Sequence, residues 1–220
     1  MEEEQNVIAE VSHELRLPLA NIKLLVETLL DGAIDDSEAA NRMLLRAQKE
    51  IGRLEDLVNN LLSVTPGRQF EAIEKQSVFL SDACDYAVSS TSELAKKKQI
   101  TVTCDLKEGF CIQANPDQLN QVLLNLVENA IKYTNDHGRV KIASGIADGS
   151  FYVEDTGIGI AQSEIPKIFK RFYRINRNKA KGSTGLGLSI VKHILDLHGA
   201  KITVKSTLQE GSTFTVEFPS

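Results

Sequence analysis

Four segments of this chain carry residues suited to moving a phosphoryl group. The first is Ser12-His13-Glu14-Leu15-Arg16-Leu17-Pro18, an imidazole beside a carboxylate in a strongly helical stretch. The others are Asn125-Leu126-Val127-Glu128-Asn129, Asp155-Thr156-Gly157-Ile158-Gly159-Ile160 and Gly182-Ser183-Thr184-Gly185-Leu186-Gly187. An imidazole with its ordinary pKa near about 6.5 is largely neutral at neutral pH and keeps a lone pair for attack. A carboxylate on the other ring nitrogen would fix the tautomer and take the proton, and Glu14 is the adjacent candidate. His13 stands two residues from both Val11 and Leu15, which lie on an apolar stripe. Two helical steps turn it by about 200°, toward solvent. Pro18 removes the amide that would bond the Glu14 carbonyl, a defect costing roughly 3 kcal/mol. Beside an outward histidine, that defect points to use rather than accident.

The other three segments suit a nucleotide. Over 116–134 a buried face is expected at Leu119, Val122, Leu123, Leu126, Val127, Ala130 and Ile131, leaving Asn125, Asn129 and Lys132 on one flank. At helical spacing those three fall within an arc of roughly 60°. Neutral amides can ligate Mg²⁺ without adding charge beside a triphosphate, and lysine can meet phosphate directly; a plain solvated flank is the competing reading. In the Asp155 segment, glycines would let a flat ligand approach the backbone, and the carboxylate can accept from an exocyclic amine. The Gly182–Gly187 segment opens a helix whose first amides should attract phosphate oxygens. It is not a Walker A loop, since no Gly-Lys-Ser/Thr follows. Lys167 to Lys181, basic and polar with Phe169 and Phe172 interleaved, suits a mobile lid better than a packed element.

Elements must hold these groups. Residues 37–64 place Ala40, Leu44, Ala47, Ile51, Leu54, Val58 and Leu61 at alternating steps of four and three, a heptad seam. Residues 6–30 repeat it loosely at Ile8, Val11, Leu15, Ile22, Val26 and Leu29, and Asp31 to Asp36 supplies a glycine stop and acidic caps. Leu24, Leu25, Leu30, Met43, Leu45, Leu57 and Leu62 lie off the seam. A lone hairpin would leave them wet, so a homodimeric four-helix bundle is expected. Thr65-Pro66-Gly67 breaks the pattern, giving an all-α unit over 1–66 and a second over 67–220. The second alternates strands and helices: a strand at 100–106, a helix at 116–134 capped by Asn115-Pro116, a hairpin around Asp148-Gly149, a helix at 186–198 stopped by Gly199, and a closing hairpin around Gly211. That is an α/β sandwich on a mixed sheet. The net charge of -5 argues against nucleic-acid binding, and no apolar run is long enough to span a bilayer. Cys84, Cys104 and Cys111 have no metal spacing and read as reduced packing residues.

Taken in this order, the four segments resemble the sensor histidine kinases of two-component signalling over essentially the whole chain. Residues 5–66 are similar to the dimerisation and phosphotransfer domain, and 70–219 to the catalytic ATP-binding domain of the Bergerat (GHKL) superfamily. The resemblance implies phosphorylation of His13 on Nε2 with Glu14 assisting proton transfer, and Mg²⁺ on Asn129 with Asn125 close by. It implies Lys132 on phosphate, Tyr133 against adenine and Asp155 on the adenine amine. Gly157, Gly159, Ile160, Thr184, Gly185, Leu186 and Gly187 would line the nucleotide, and Arg171 of the Phe169-Lys170-Arg171-Phe172 box would reach the phosphates. The implied activity is ATP-dependent autophosphorylation followed by transfer to an aspartate of a separate response regulator. The chain would be the cytoplasmic output portion of a longer sensor, membrane-anchored or not, with its sensor domain elsewhere. One departure stands out: where the family carries threonine or asparagine to orient water, this chain has Leu17, which implies weak phosphatase activity toward the partner. A nucleotide-gated ATPase with Glu128 activating water is the rival reading.

Overall fold

Two long helices open the chain, α1 (Glu2–Leu30) and α2 (Ser37–Leu62), joined by a single 3-10 turn at Ala33–Asp35. The computed structural model describes residues 2–62, 74–175 and 185–219; in the first stretch, side chains are described for 15–54 apart from Leu17, Lys49 and Arg53. The chain divides into two compact units, Met1–Pro66 and Gly67–Ser220, while the expected break at Thr65-Pro66-Gly67 lies outside the described residues.

In the first unit, Gly32 ends α1 with φ 115°, a value open to glycine. Asp36 starts α2 by accepting at Oδ1 from the amides of Glu38 and Ala39, both at 3.0 Å, two of the four donors a helix start leaves unpaired. The heptad seam splits in two. Ala40 and Ala47 are buried and Leu54 half-buried, whereas Leu44 and Ile51, expected on the same seam, are 57% and 46% exposed. In α1, Leu29 is buried and Leu15 and Ile22 are half-buried, but Val26 is exposed. The reason is geometric: a and d positions of one helix point to different sides of the contact line, and a single neighbour covers only one. Leu24, Leu30 and Leu45 are exposed as expected, while Leu25 and Met43 are half-buried instead. The side chains of Ile8, Val11, Leu57, Val58, Leu61 and Leu62 lie outside the described residues.

The second unit runs β1 (Gln76–Phe79), α3 (Leu80–Lys97), β2 (Thr101–Asp105), β3 (Cys111–Ala114), α4 (Pro116–Tyr133), β4 (Arg139–Ser144), β5 (Ser150–Asp155), α5 (Gly187–His198), β6 (Lys201–Thr207) and β7 (Gly211–Glu217). Five strands form a sheet in the order β2-β4-β5-β7-β6, and β1 pairs with β3 as a separate ribbon. Only β2 and β4 are parallel; the other pairs of the sheet are antiparallel. This is the expected α/β sandwich on a mixed sheet. β1, α3 and β3 go beyond the elements expected, although Leu80, Ala83, Cys84, Ala87, Thr91 and Ala95 form a helical buried stripe.

The sheet is one-sided. Val140 and Ile142, Phe151 and Val153, and Phe214 and Val216 are buried, with Ile142 opposite Val153 and Val153 opposite Phe214. α4 buries the seven residues expected of it, and Asn115 caps it, its Oδ1 accepting from the Gln118 amide at 3.1 Å before proline at the first helical position. Of the cysteines, only Cys84 packs inside; Cys104 and Cys111 are exposed, contrary to the expectation that all three fill the interior.

Candidate functional site

α4 is the spine of the site. Asn125, Asn129 and Lys132 are half-buried on its flank, and Tyr133 at its end is exposed. Asn125 donates through Nδ2 to the Gln121 carbonyl at 2.9 Å, so its Oδ1 is turned outward. That oxygen faces the first residue of α5: a Cβ on Gly187 would sit 3.0 Å from it. Seven and eight residues on, the Lys132 ammonium lies 6.0 Å from the Tyr133 ring centroid, and the Tyr133 carbonyl accepts from the Ile158 amide at 3.1 Å. One helix therefore touches both candidate loops, the α5 start near Asn125 and the Asp155 loop near Tyr133. The two points are about 12 Å apart along the axis.

Asp155 is buried because of strand parity. It continues the inward alternation of Phe151 and Val153, so a carboxylate occupies a core-facing position. Burial pushes its pKa up to about 6, against the opposing pull of the Gly157 and Ser212 amides that bond it. The Gly157 amide donates to Oδ1 at 2.8 Å. The glycines that follow are also demanded by the protein's own backbone. A Cβ on Gly157 would fall 2.5 Å from the Tyr133 carbonyl oxygen, and one on Gly159, at φ 67°, only 2.0 Å from that of Thr207. The Ile160 amide donates to Ser206 Oγ at 2.7 Å, and Ser206 Oγ donates to the Gly211 carbonyl at 2.8 Å. Ser206, Gly211 and Ser212 thus hold the loop, a role hidden in the sequence because they read only as parts of the closing hairpin. A carboxylate on an inward parity position opposite Ser212 was the available signal.

The second loop enters α5 through Gly185 and Leu186. Gly185 has φ 71°, and a Cβ there would lie 2.8 Å from the Phe172 backbone, which joins this loop to the phenylalanine-bearing segment. Leu186 is buried, so toward any ligand it offers its backbone only. Among the described residues no side chain caps α5, leaving its first amides suited to an anion. Thr184, with Gly182 and Ser183, lies outside the described residues. The first half of the expected lid is packed instead: Ile168 and Phe172 are buried, Lys167 pairs with Glu164 at 3.0 Å, and the Tyr173 hydroxyl donates to the same carboxylate. Two aromatic or aliphatic anchors outweigh the polar composition around them. Arg171 is exposed on this segment, and residues 176–181 lie outside the described ones.

His13, Glu14 and Leu17 are in α1, upstream of and beside the half-buried Pro18, but their side chains lie outside the described residues. Among the described residues no group of three or more His, Cys, Asp or Glu could hold a metal ion. The half-buried amides of Asn125 and Asn129 fit a hard cation that takes one or two protein oxygens and draws its remaining ligands from phosphate and water.

Comparisons with known proteins agree with this arrangement. Residues 3–68 match the His Kinase A (phospho-acceptor) domain, and residues 114–220 match the histidine kinase-, DNA gyrase B- and HSP90-like ATPase domain. The phosphate regulon sensor protein PhoR of Pseudomonas aeruginosa is 34% identical over 97% of this chain and 49% of its own length. The catalytic domain of histidine kinase ThkA is 30% identical, with a TM-score of 0.57 over 67% of this chain and 96% of that domain. ThkA in complex with the response regulator protein TrrA gives a TM-score of 0.72 at 28% identity, over 97% of this chain and 61% of that one. ShkA in complex with AMPPNP gives 0.71 at 26% identity, over 97% and 45%. The chain spans about half the length of the curated relatives it matches. With a phospho-acceptor domain at one end, an ATPase domain at the other and likeness along the length between, the chain belongs to the histidine kinases of two-component signalling.

Proposed function

We propose that this chain is an ATP-dependent protein histidine autokinase: residues 67–220 bind Mg-ATP, and its γ-phosphoryl group is transferred to His13 within residues 1–66. The observation that carries this reading is the pairing along α4 of an uncapped helix start beside Asn125 with a buried carboxylate beside Tyr133. The first suits phosphate and the second a purine amine. Asn125, Asn129, Lys132 and the amides of Gly185, Leu186 and Gly187 serve the phosphate end, with Thr184 and Arg171 reaching it. Tyr133, Asp155, Gly157, Gly159 and Ile160 serve the base. Asn129 would hold Mg²⁺, which supplies neutralisation of the phosphate charge.

The Nε2 lone pair of His13 forms the N–P bond while the bond from the γ-phosphorus to the β–γ bridging oxygen breaks and ADP leaves; Glu14 takes the proton from Nδ1. Because the transition state is loose, positioning and charge from Lys132 and Arg171 dominate over covalent assistance. The phosphoryl group then passes to an aspartate of a response-regulator receiver domain, the kind of partner with which ThkA was solved. Leu17, which can neither donate nor accept a hydrogen bond, leaves dephosphorylation of that partner weak. Exposed Leu19, Val26, Leu44 and Ile51 favour a homodimer whose second hairpin covers them. The reaction draws on ATP and so belongs in the cytoplasm. No described helix is long and apolar enough to cross a membrane.

Incubation with γ-labelled ATP tests the reading. Acid-labile, base-stable label is expected on the wild type, none on His13→Ala with nucleotide affinity kept, and none on Asn129→Ala with the dimer kept. Label of that chemistry persisting on His13→Ala, or steady phosphate release with no labelled protein, overturns it.

A further inference from the structure

A helix ends with four carbonyls that have no intrahelical partner, and the last turn of α4 carries two of the proposed nucleotide residues. All four are satisfied. The Ala130 carbonyl accepts from the Thr134 amide at 3.0 Å and the Thr134 hydroxyl at 2.7 Å. The Tyr133 carbonyl accepts from the Ile158 amide at 3.1 Å. The remaining two, on Ile131 and Lys132, accept from one side chain far away in sequence: the Lys98 ammonium, at 2.9 and 2.8 Å. The same ammonium donates to the Thr134 carbonyl just past the helix. An ammonium has three N–H donors, and here all three converge on one turn.

Lys98 is itself fixed. It closes α3, its amide bonded to the carbonyls of Leu94 and Ala95, and its own carbonyl accepts from the His137 amide at 3.0 Å. Gln99 follows in the left-handed region at φ 55°, and the Ile100 amide returns to Ala95 at 3.0 Å. The end of α3, the end of α4 and the turn into β4 are therefore tied through this residue. Burial holds its ammonium below the usual lysine range, with the Asp136 carboxylate pulling the other way. A positive charge at a helix C-terminus is favourable in any fold. Here the carbonyls gripped are those that set where Lys132 projects, and the next one along, on Tyr133, holds Ile158 of the Asp155 loop.

We propose that Lys98 is a positioning residue of the nucleotide site, its ammonium setting the register of the last turn of α4 and, through the Tyr133 carbonyl, the seat of the Asp155–Gly159 loop. The proposal rests on the nucleotide-binding reading above. The test compares wild type, Lys98→Met and Lys98→Arg as full chains, measuring Mg-ADP affinity, KM and kcat for labelling by ATP, and amide exchange. Lys98→Met is expected to weaken ADP and raise KM about tenfold or more, with kcat at saturating ATP falling as well because Lys132 is no longer held in place. Amides of 156–160 should exchange about tenfold faster while those of 190–198 keep their rates, and Lys98→Arg should recover most of the affinity. If Lys98→Met does not fold, Lys98→Gln, which keeps two N–H donors, is carried through the same measurements. Wild-type affinity and exchange in the neutral variants overturn the proposal, as does faster exchange everywhere without rescue by arginine. A wild type that binds no ADP instead overturns the nucleotide reading, and this proposal with it.

Discussion

Asp155 shows how one residue's surroundings set a measurable property. Its pKa of about 6 in the folded protein lies above the value of 3.8 for a free side chain, so the folded state holds a proton the unfolded chain has lost. The stability that proton contributes is fully present below about pH 4 and is lost as pH rises through about 6, amounting to roughly 3 kcal/mol. Thermal melts of nucleotide-free protein from pH 4.5 to 7.5 should show this decline, and Asp155→Asn should remove it. The ionised carboxylate is the stronger acceptor for a purine amine, so ADP affinity should rise with pH through about 6 in the wild type and stay flat and weaker in Asp155→Asn; calorimetric titration at several pH values checks this. The glycines give a second residue-scale prediction. Gly159 and Gly109 share a positive φ, but a Cβ on Gly109 meets nothing within 4 Å, whereas one on Gly159 meets Thr207. Gly109→Ala should cost about 1 kcal/mol from backbone strain alone. Gly159→Ala should cost about 3 kcal/mol or more, seen in urea unfolding with no nucleotide present. An equal cost at both positions would show that the backbone clash at Thr207 is relieved by movement.

Elements were legible where a local rule acts alone. α4 is the clearest: its proline, its Asn115 cap and its seven-residue buried face all follow from short-range spacing. What holds its start in place is not local. The Asn115 amide donates to His198 Nε2 at 3.1 Å, 83 residues away, while His198 Nδ1 bonds the Ile194 carbonyl at 2.8 Å and the ring packs edge-on against Phe218. His198→Leu keeps the bulk but leaves a half-buried amide unpaired, so a loss of about 1–3 kcal/mol is expected; chemical denaturation is the check, and a neutral result would mean water takes the bond. β1 and β3 escaped notice because each is a four-residue strand, too short for alternation to register. The phenylalanine-bearing segment differs for the opposite reason: composition averaged over 15 residues hides the two, Ile168 and Phe172, that anchor it.

At the scale of the whole molecule, the hairpin presents a second apolar side to solvent. Leu44 and Ile51 stand on the heptad yet are exposed, and Leu19 and Val26 repeat that pattern on α1. Leu44→Glu with Ile51→Glu should turn the proposed dimer into a monomer in sedimentation runs while leaving ADP affinity unchanged, since the proposed nucleotide residues lie in the other unit. A dimer that survives both substitutions would require a different interface.

The sequence by itself determined the two-unit plan, the hairpin, the buried face of α4 and the residue types suited to the proposed chemistry, because each depends on spacing within one or two turns or strands. Only the tertiary structure decided which heptad positions face inward, that Asp155 is a buried carboxylate, that Gly157 and Gly159 are demanded by the chain's own backbone, and that Lys98 closes α4. Those outcomes arise where segments distant in the chain compete for the same space and the same hydrogen bonds, and no local pattern records who the neighbour is.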